Sequence, residues 1–237
     1  MKIVVLTTET PHHAQFVKEV SRVFPIDCVI LETQGVVAPF ETEHPYERER
    51  DYYEREIFFN GNCVTVSSLA ETREFENLNR PEALDFLSER KPDVVIVFGT
   101  GRIRHELIAT VPDSIFNLHG GDPEQYRGLD SHLWAIYHGD FGGLVTTLHR
   151  VDTTIDGGDV VAKSTLGLYR GMKLLELRRV NTQVCVELVL GALNAYHATG
   201  RCVATTQARK GRYYSFMPAA LKELCRAKFE KYTANLK

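Results

Sequence analysis

Short β-branched runs alternate with amphipathic stretches over roughly the first 165 residues, the pattern of strands exchanging with helices. Lys2 to Leu6 is an apolar run of strand length, and from Pro11 the residues Phe16, Val17, Val20 and Val23 recur at helical spacing up to Pro25. Ile26 to Leu31 reads as a second strand. Pro92-Asp93-Val94-Val95-Ile96-Val97-Phe98-Gly99 is apolar almost throughout, as in strands buried on both faces of a parallel sheet. The spacing predicts helices before it, over Pro81 to Glu89, and after it, over Ile103 to Ala109. Ser114 to Leu118 forms a further strand by its Ile-Phe-x-Leu run. Such alternation predicts a three-layer, Rossmann-like α/β domain with a mostly parallel sheet, in which ligands sit beyond the carboxyl ends of the strands.

Between Thr42 and Asn60, the segment Glu47-Arg48-Glu49-Arg50-Asp51-Tyr52-Tyr53-Glu54-Arg55-Glu56 alternates in charge sign. It reads first as a solvated helix laced with near-neighbour ion pairs and second as a lid over a substrate. After Gly171, the amphipathic run Leu174 to Ala198 predicts a helix packed on the sheet and ended by Gly200. The last 29 residues, from Arg209, hold eight Lys or Arg against two Asp or Glu. Lys222, Arg226 and Lys228 stand at the spacing of a helix surface. The expected organisation is a catalytic domain over residues 1–200 and a short C-terminal helical extension over 201–237. For Tyr213 to Pro218, core packing and a homodimer contact both stay open.

Composition narrows the classes. The chain of 237 residues is 43% hydrophobic and 25% charged with a formal net charge of −3, so nothing global points to nucleic acid or a membrane surface. The apolar start is too short for a signal peptide, and no stretch approaches the ~20 residues of a membrane span. Five scattered cysteines, an odd number, suit a reduced cytoplasmic protein. His132 and His138 have no metal-pair spacing, and no metal site is expected.

The candidate chemistry centres on Asn117, His119 and Asp156. On a strand, residues two apart share a face, so Asn117 and His119 project together while Leu118 turns into the core. An amide, an imidazole and a carboxylate can stabilise an oxyanion, move a proton and orient its carrier. Blander readings stand beside this: Asn117 and His119 could satisfy loop backbone, and Asp156-Gly157 could be a simple turn.

Asn117-Leu118-His119, Tyr126-Arg127-Gly128, Trp134-Ala135-Ile136, Gly139-Asp140, Val145-Thr146-Thr147-Leu148-His149 and Ile155-Asp156-Gly157-Gly158-Asp159 follow in this order. Over about Val94 to Val161 the chain resembles the formyltransferases that use 10-formyltetrahydrofolate. The resemblance implies that Asn117, His119 and Asp156 are catalytic; a carboxylate beside an imidazole favours its charged form, so Asp156 is expected to keep His119 wholly or half charged near neutrality. It implies a folate wall at Phe98, Gly99, Thr100, Gly101, Arg102 and Ile103, and folate contacts from Ile155, Gly157 and Asp159. Thr8, Thr10 and His12, at the end of the first strand, compete between acceptor contact and helix capping. Gly120, Gly121, Tyr126 and Arg127 are further substrate-side candidates, Arg127 also reading as a structural clamp. His149 reads as a supporting or core residue.

Departures from the family guide the acceptor. Thr7-Thr8-Glu9-Thr10-Pro11-His12-His13 is not the Gly-rich phosphate loop of the purine-pathway members, and roughly 70 residues after the core domain are few for the tRNA-specific ones. Gly120-Gly121-Asp122-Pro123 suggests a pliable loop after the histidine. The expected reaction is N-formylation of a small-molecule primary amine, a nucleotide-linked amino sugar first. Its phosphates would be met by Arg102, Arg127 or the Lys210 and Arg212 region. An ornithine-type amine, methionyl-tRNA, or folate binding without catalysis are the alternatives.

Overall fold

The computed structural model describes residues 1–111 and 113–237. In chain order its elements are β1 (Ile3–Thr7), α1 (Pro11–Ser21), β2 (Cys28–Glu32), α2 (Pro45–Phe59), β3 (Thr72–Phe75), α3 (Pro81–Arg90), β4 (Val94–Phe98), α4 (His105–Ile108) and β5 (Ile115–His119). These are followed by β6 (Tyr126–Gly128), α5 (Ser131–His138), β7 (Val145–Arg150), β8 (Val160–Thr165), α6 (Leu177–Thr199), β9 (Arg212–Tyr214) and α7 (Ala219–Ala234). A seven-stranded sheet runs in the order β3-β2-β1-β4-β5-β7-β8, and β6 pairs with β9 in a separate two-stranded ribbon. The five strands from β3 to β5 are mutually parallel, whereas β7 and β8 join antiparallel.

Burial explains the apolar runs. Every residue of β1, β2 and β4 is buried, because helices cover both faces of the sheet. Ile3, Val5, Ile96, Phe116 and Leu118 pack with Phe16 and Val17 of α1 and with Val189 and Leu193 of α6. Val4, Leu6, Val97 and Ile115 pack instead with Leu87 of α3 and Leu107 of α4. Phe16 and Phe116 are almost wholly buried, each such side chain contributing about 1.5–3 kcal/mol. A third cluster joins Leu133 and Ile136 of α5 to Cys225 and Phe229 of α7. Among the described residues no helix is long and apolar enough to cross a membrane.

The predicted elements shift modestly at their ends. Helix α1 stops at Ser21, since Val23 and Phe24 both donate back to the Val20 carbonyl in a closing turn. The Leu174 run begins as a 3₁₀ turn, Leu174–Glu176, before α6, and Gly200 caps that helix with φ +72°. Lys222 departs from its expected surface position: it is buried, donating to the Thr42 carbonyl at 2.6 Å and pairing with Glu47 at 3.0 Å. Its charge ties α7 to the start of α2.

Candidate active site

Strand β5 ends with Asn117 and His119 on the face opposite Phe116 and Leu118, the latter packed in the core. Because β7 runs antiparallel to β5, His149 lies directly across from Asn117, where side chains on one face meet. Asn117 Nδ2 is 3.1 Å from His149 Nε2, and His149 Nδ1 is 2.7 Å from the Arg150 carbonyl. A carbonyl can only accept, so His149 carries its proton on Nδ1 and Nε2 accepts from Asn117. That arrangement fixes the Asn117 amide and leaves its second N–H free.

Asp156 completes the cluster from the turn after β7. Its Oδ2 accepts from the Gly128 backbone N–H at 2.7 Å and stands 3.5 Å from His119 Nδ1, while Oδ1 is 3.5 Å from His149 Nε2. His119 Nε2 donates to the Tyr126 carbonyl at 2.8 Å, which places the Nδ1 lone pair toward the carboxylate in the neutral ring. Burial pushes the His119 pKa below its ordinary 6.5, and the Asp156 charge offsets only part of that. Against the expectation of a His119 wholly or half charged near neutrality, burial favours the neutral ring. Burial would raise the Asp156 carboxyl, but the Gly128 N–H, and the His119 and His149 rings whenever they take up a proton, hold it below its ordinary value. The pair thus presents a neutral base backed by a carboxylate.

These groups open on a cavity of about 480 Å³, within the usual range for small-molecule sites. Phe98, Gly99, Thr100, Gly101, Arg102 and Ile103 line one wall, and Gly120, Asp152, Ile155 and Asp156 lie beyond β5. Gly99 is required twice over: its φ is +77°, and a Cβ there would stand 2.5 Å from the His13 ring. Glu32, at the end of β2, accepts from the Gly101 N–H at 2.6 Å and from the Leu78 N–H at 3.5 Å, so it holds this wall in place. Nothing in its local sequence separates it from an ordinary strand-end acid.

Other anticipated residues lie outside the lining. Gly157 and Asp159 do not line the cavity. Thr8, Thr10 and His12 do not either: Thr10 caps α1 by accepting from the His13 N–H, and its hydroxyl meets His12 Nδ1 at 2.9 Å. Tyr126 turns its hydroxyl to Asp140 at 3.0 Å and reaches His119 through its carbonyl alone. Arg127 is buried and donates to the Ile155 carbonyl, the clamp arrangement. Lys210 and Arg212 line a second cavity of about 380 Å³ with Tyr126 and Tyr214. The loop after His119 is packed rather than pliable: a Cβ on Gly121 would lie 2.8 Å from His119 Nε2, and Thr147 Oγ1 donates to the Gly121 carbonyl at 2.8 Å.

The far wall is contributed by elements the motifs did not reach. Tyr46 and Arg50 of α2, Asp130, Arg178 and Asn181 of α6, and Tyr213 of β9 all line the cavity. Arg178 donates to both carboxylate oxygens of the fully buried Glu54, at 2.7 and 2.6 Å, and to Asp51 at 2.5 Å. Helix α2 is thus a wall fastened by a buried ion pair, an arrangement between the solvated helix and the lid.

The family model for formyl transferase matches residues 1–171, and the chain belongs to that family. A methionyl-tRNA formyltransferase from Caldanaerobacter subterraneus subsp. tengcongensis is 34% identical over 91 residues, 38% of this chain and 29% of that protein. The matching stretch thus spans less than a third of the length of the curated relatives, 14% in one case and 29% in the other. Among solved structures, a sugar N-formyltransferase from Shewanella sp FDAARGOS_354 superposes with TM-score 0.63 at 16% identity, over 91% of this chain and 76% of that one. The formyltransferase PseJ from Anoxybacillus kamchatkensis, in complex with UDP-4,6-dideoxy-4-formamido-L-AltNAc and tetrahydrofolate, does so with TM-score 0.53 at 16% identity, over 91% and 86%. At these identities the structural likeness is one of fold.

Proposed function

We propose that this chain transfers a formyl group from 10-formyltetrahydrofolate to the primary amine of a small molecule, with a nucleotide-linked amino sugar as the acceptor. The observation that carries the reading is the convergence of Asn117, His119 and Asp156 on one cavity. The backbone of Gly99 to Ile103 and the apolar side chains of Phe98, Ile103 and Ile155 suit a flat heterocycle with polar edges. When bound, the folate supplies the formyl carbon that the amine attacks.

The chain's own groups then divide the work. The free N–H of Asn117 stabilises the oxygen that becomes negative as the carbonyl carbon turns tetrahedral, a role suited to a preoriented donor in a dry site. Neutral His119 receives the proton of the attacking amine on Nδ1, beside the Asp156 carboxylate, which favours the imidazolium. The new bond joins amine nitrogen to formyl carbon, the bond from that carbon to the folate nitrogen breaks, and His119 returns the proton to the departing nitrogen. Atoms and charge balance without a covalent enzyme intermediate.

The acceptor class rests on the sugar N-formyltransferases among the neighbours and on PseJ with its UDP-sugar. Acceptor phosphates would meet Arg50 and Arg102, both on the cavity wall, whose own partners are the half-exposed Asp51 and the Thr153 carbonyl, whereas Arg127 is buried against the Ile155 carbonyl and Arg178 holds the buried Glu54. The test is a panel of amino-sugar nucleotides with 10-formyltetrahydrofolate, read by mass spectrometry. A gain of one formyl group on a member of the panel supports the assignment; inertness of every sugar beside ready formylation of an amino acid amine would sink it.

A further inference from the structure

The segment after α6 lies beyond the family-matched residues, yet it returns to the catalytic turn. Thr205 and Val160 exchange both backbone hydrogen bonds, at 2.8 Å each, which pins the returning chain beside the start of β8. Two residues on, Gln207 Nε2 donates to the Asp156 carbonyl at 2.8 Å and to the Gly158 carbonyl at 2.8 Å. Both partners are acceptors only, so the amide orientation is determined and both of its protons are used.

The turn it grips needs holding. Asp156 has φ +51°, a left-handed conformation that is unfavourable for a residue other than glycine. Gly157 and Gly158 have no room for a side chain: a Cβ would collide with Thr154 Oγ1 at the first and the Arg150 carbonyl at the second. Arg127 donates to the carbonyl of Ile155. The carbonyls of Ile155, Asp156 and Gly158 are therefore each held by a side chain from elsewhere in the chain, and the Asp156 carboxylate is aimed at His119 as a result.

We infer that Gln207 is a positioning residue for the reaction, its amide holding the Asp156 turn in the conformation that sets the carboxylate beside His119. The inference rests on the formyl-transfer reading for its kinetic consequences but not for its structural one. A displacement of the order of 1 Å at a catalytic group costs about 10²-fold in rate.

Gln207→Leu keeps the bulk and removes both donors, and Gln207→Glu replaces them with an acceptor facing two carbonyls. Both variants are expected to lose roughly 10- to 100-fold in kcat, with KM for either substrate changed less than about threefold. The acid limb of kcat/KM moves to lower pH, because His119 loses part of the carboxylate field that supports its charged form. Thr206→Ala, exposed next to it, keeps wild-type kinetics. A second readout is independent of turnover: the His119 ring titration, followed by NMR on 13C-labelled histidine and assigned with His119→Gln, drops in Gln207→Leu. Should Gln207→Leu fail to fold, Gln207→Asn, too short to reach both carbonyls, is expected to show the same lowered titration. An unchanged His119 titration together with turnover within threefold of wild type would overturn the inference. A wild type that formylates no amine defeats the functional reading alone and leaves the titration to decide Gln207.

Discussion

Replacing Glu54 by Leu exposes how the cavity is built. Glu54 is wholly buried on α2 and takes two hydrogen bonds from Arg178 of α6, so its removal strands a guanidinium in a desolvated site. Losing one partner of a buried pair costs about 3–5 kcal/mol. Asp51 remains 2.5 Å from Arg178 Nη2 and is itself partly hydrated, which places the expected loss near the lower end, about 3 kcal/mol. For a chain of this size that corresponds to a fall in Tm of about 6–12 °C. His12, 3.9 Å from Glu54, adds little, since burial, helped by the Arg178 charge, keeps it neutral. Urea unfolding gives the number, and the double replacement Glu54→Leu with Arg178→Met gives the mechanism: with no charge left unpaired, most of the stability returns. A single variant within 1 kcal/mol of wild type, or a double variant as unstable as the single, would refute this account of the α2 wall.

Acid should begin to destabilise the protein above the carboxylate range. Burial holds His132 down to about 4 and His13 to about 3, so the folded state stays unprotonated at these rings while the unfolded chain takes protons below pH 6.5. Stability is therefore full above 6.5 and is lost as pH falls toward 4, by about 3 kcal/mol for His132 alone; urea midpoints at pH 7.5, 6 and 5 measure this, and His132→Gln should flatten the slope. Glu32→Ala frees the Gly101 and Leu78 N–H groups and should weaken tetrahydrofolate binding roughly tenfold in calorimetric titration, whereas unchanged affinity would remove Glu32 from the folate wall.

Legibility followed locality. The buried parallel strands were visible in apolar runs such as Val94–Phe98, and the shared face of Asn117 and His119 followed from the two-residue period of a strand. His149 reads as a supporting or core residue from the sequence, but its pairing with Asn117 does not, because that depends on β7 entering antiparallel and in register. The buried role of Glu54 was hidden for a similar reason. Within its own helix it is one charge among alternating neighbours, and only Arg178, far along the chain, makes it an interior residue. Lys222 misled in the same way, its helical spacing naming a surface that the Thr42 carbonyl and Glu47 turn into an interior. The pull of burial on His119 could not be read, because a neighbouring carboxylate is written in the sequence and desolvation is not.

On the proposed mechanism, His119 moves the proton of the amine within the Asn117, His119 and Asp156 cluster. This role is tested most directly by measuring tetrahydrofolate release and folate affinity side by side in wild type and His119→Ala, with a formylated acceptor in hand. Removal of a proton carrier at this position gives a loss of about 10²- to 10⁴-fold in turnover with the folate dissociation constant nearly unchanged. Turnover within tenfold of wild type, or a loss explained wholly by weakened folate binding, would contradict it.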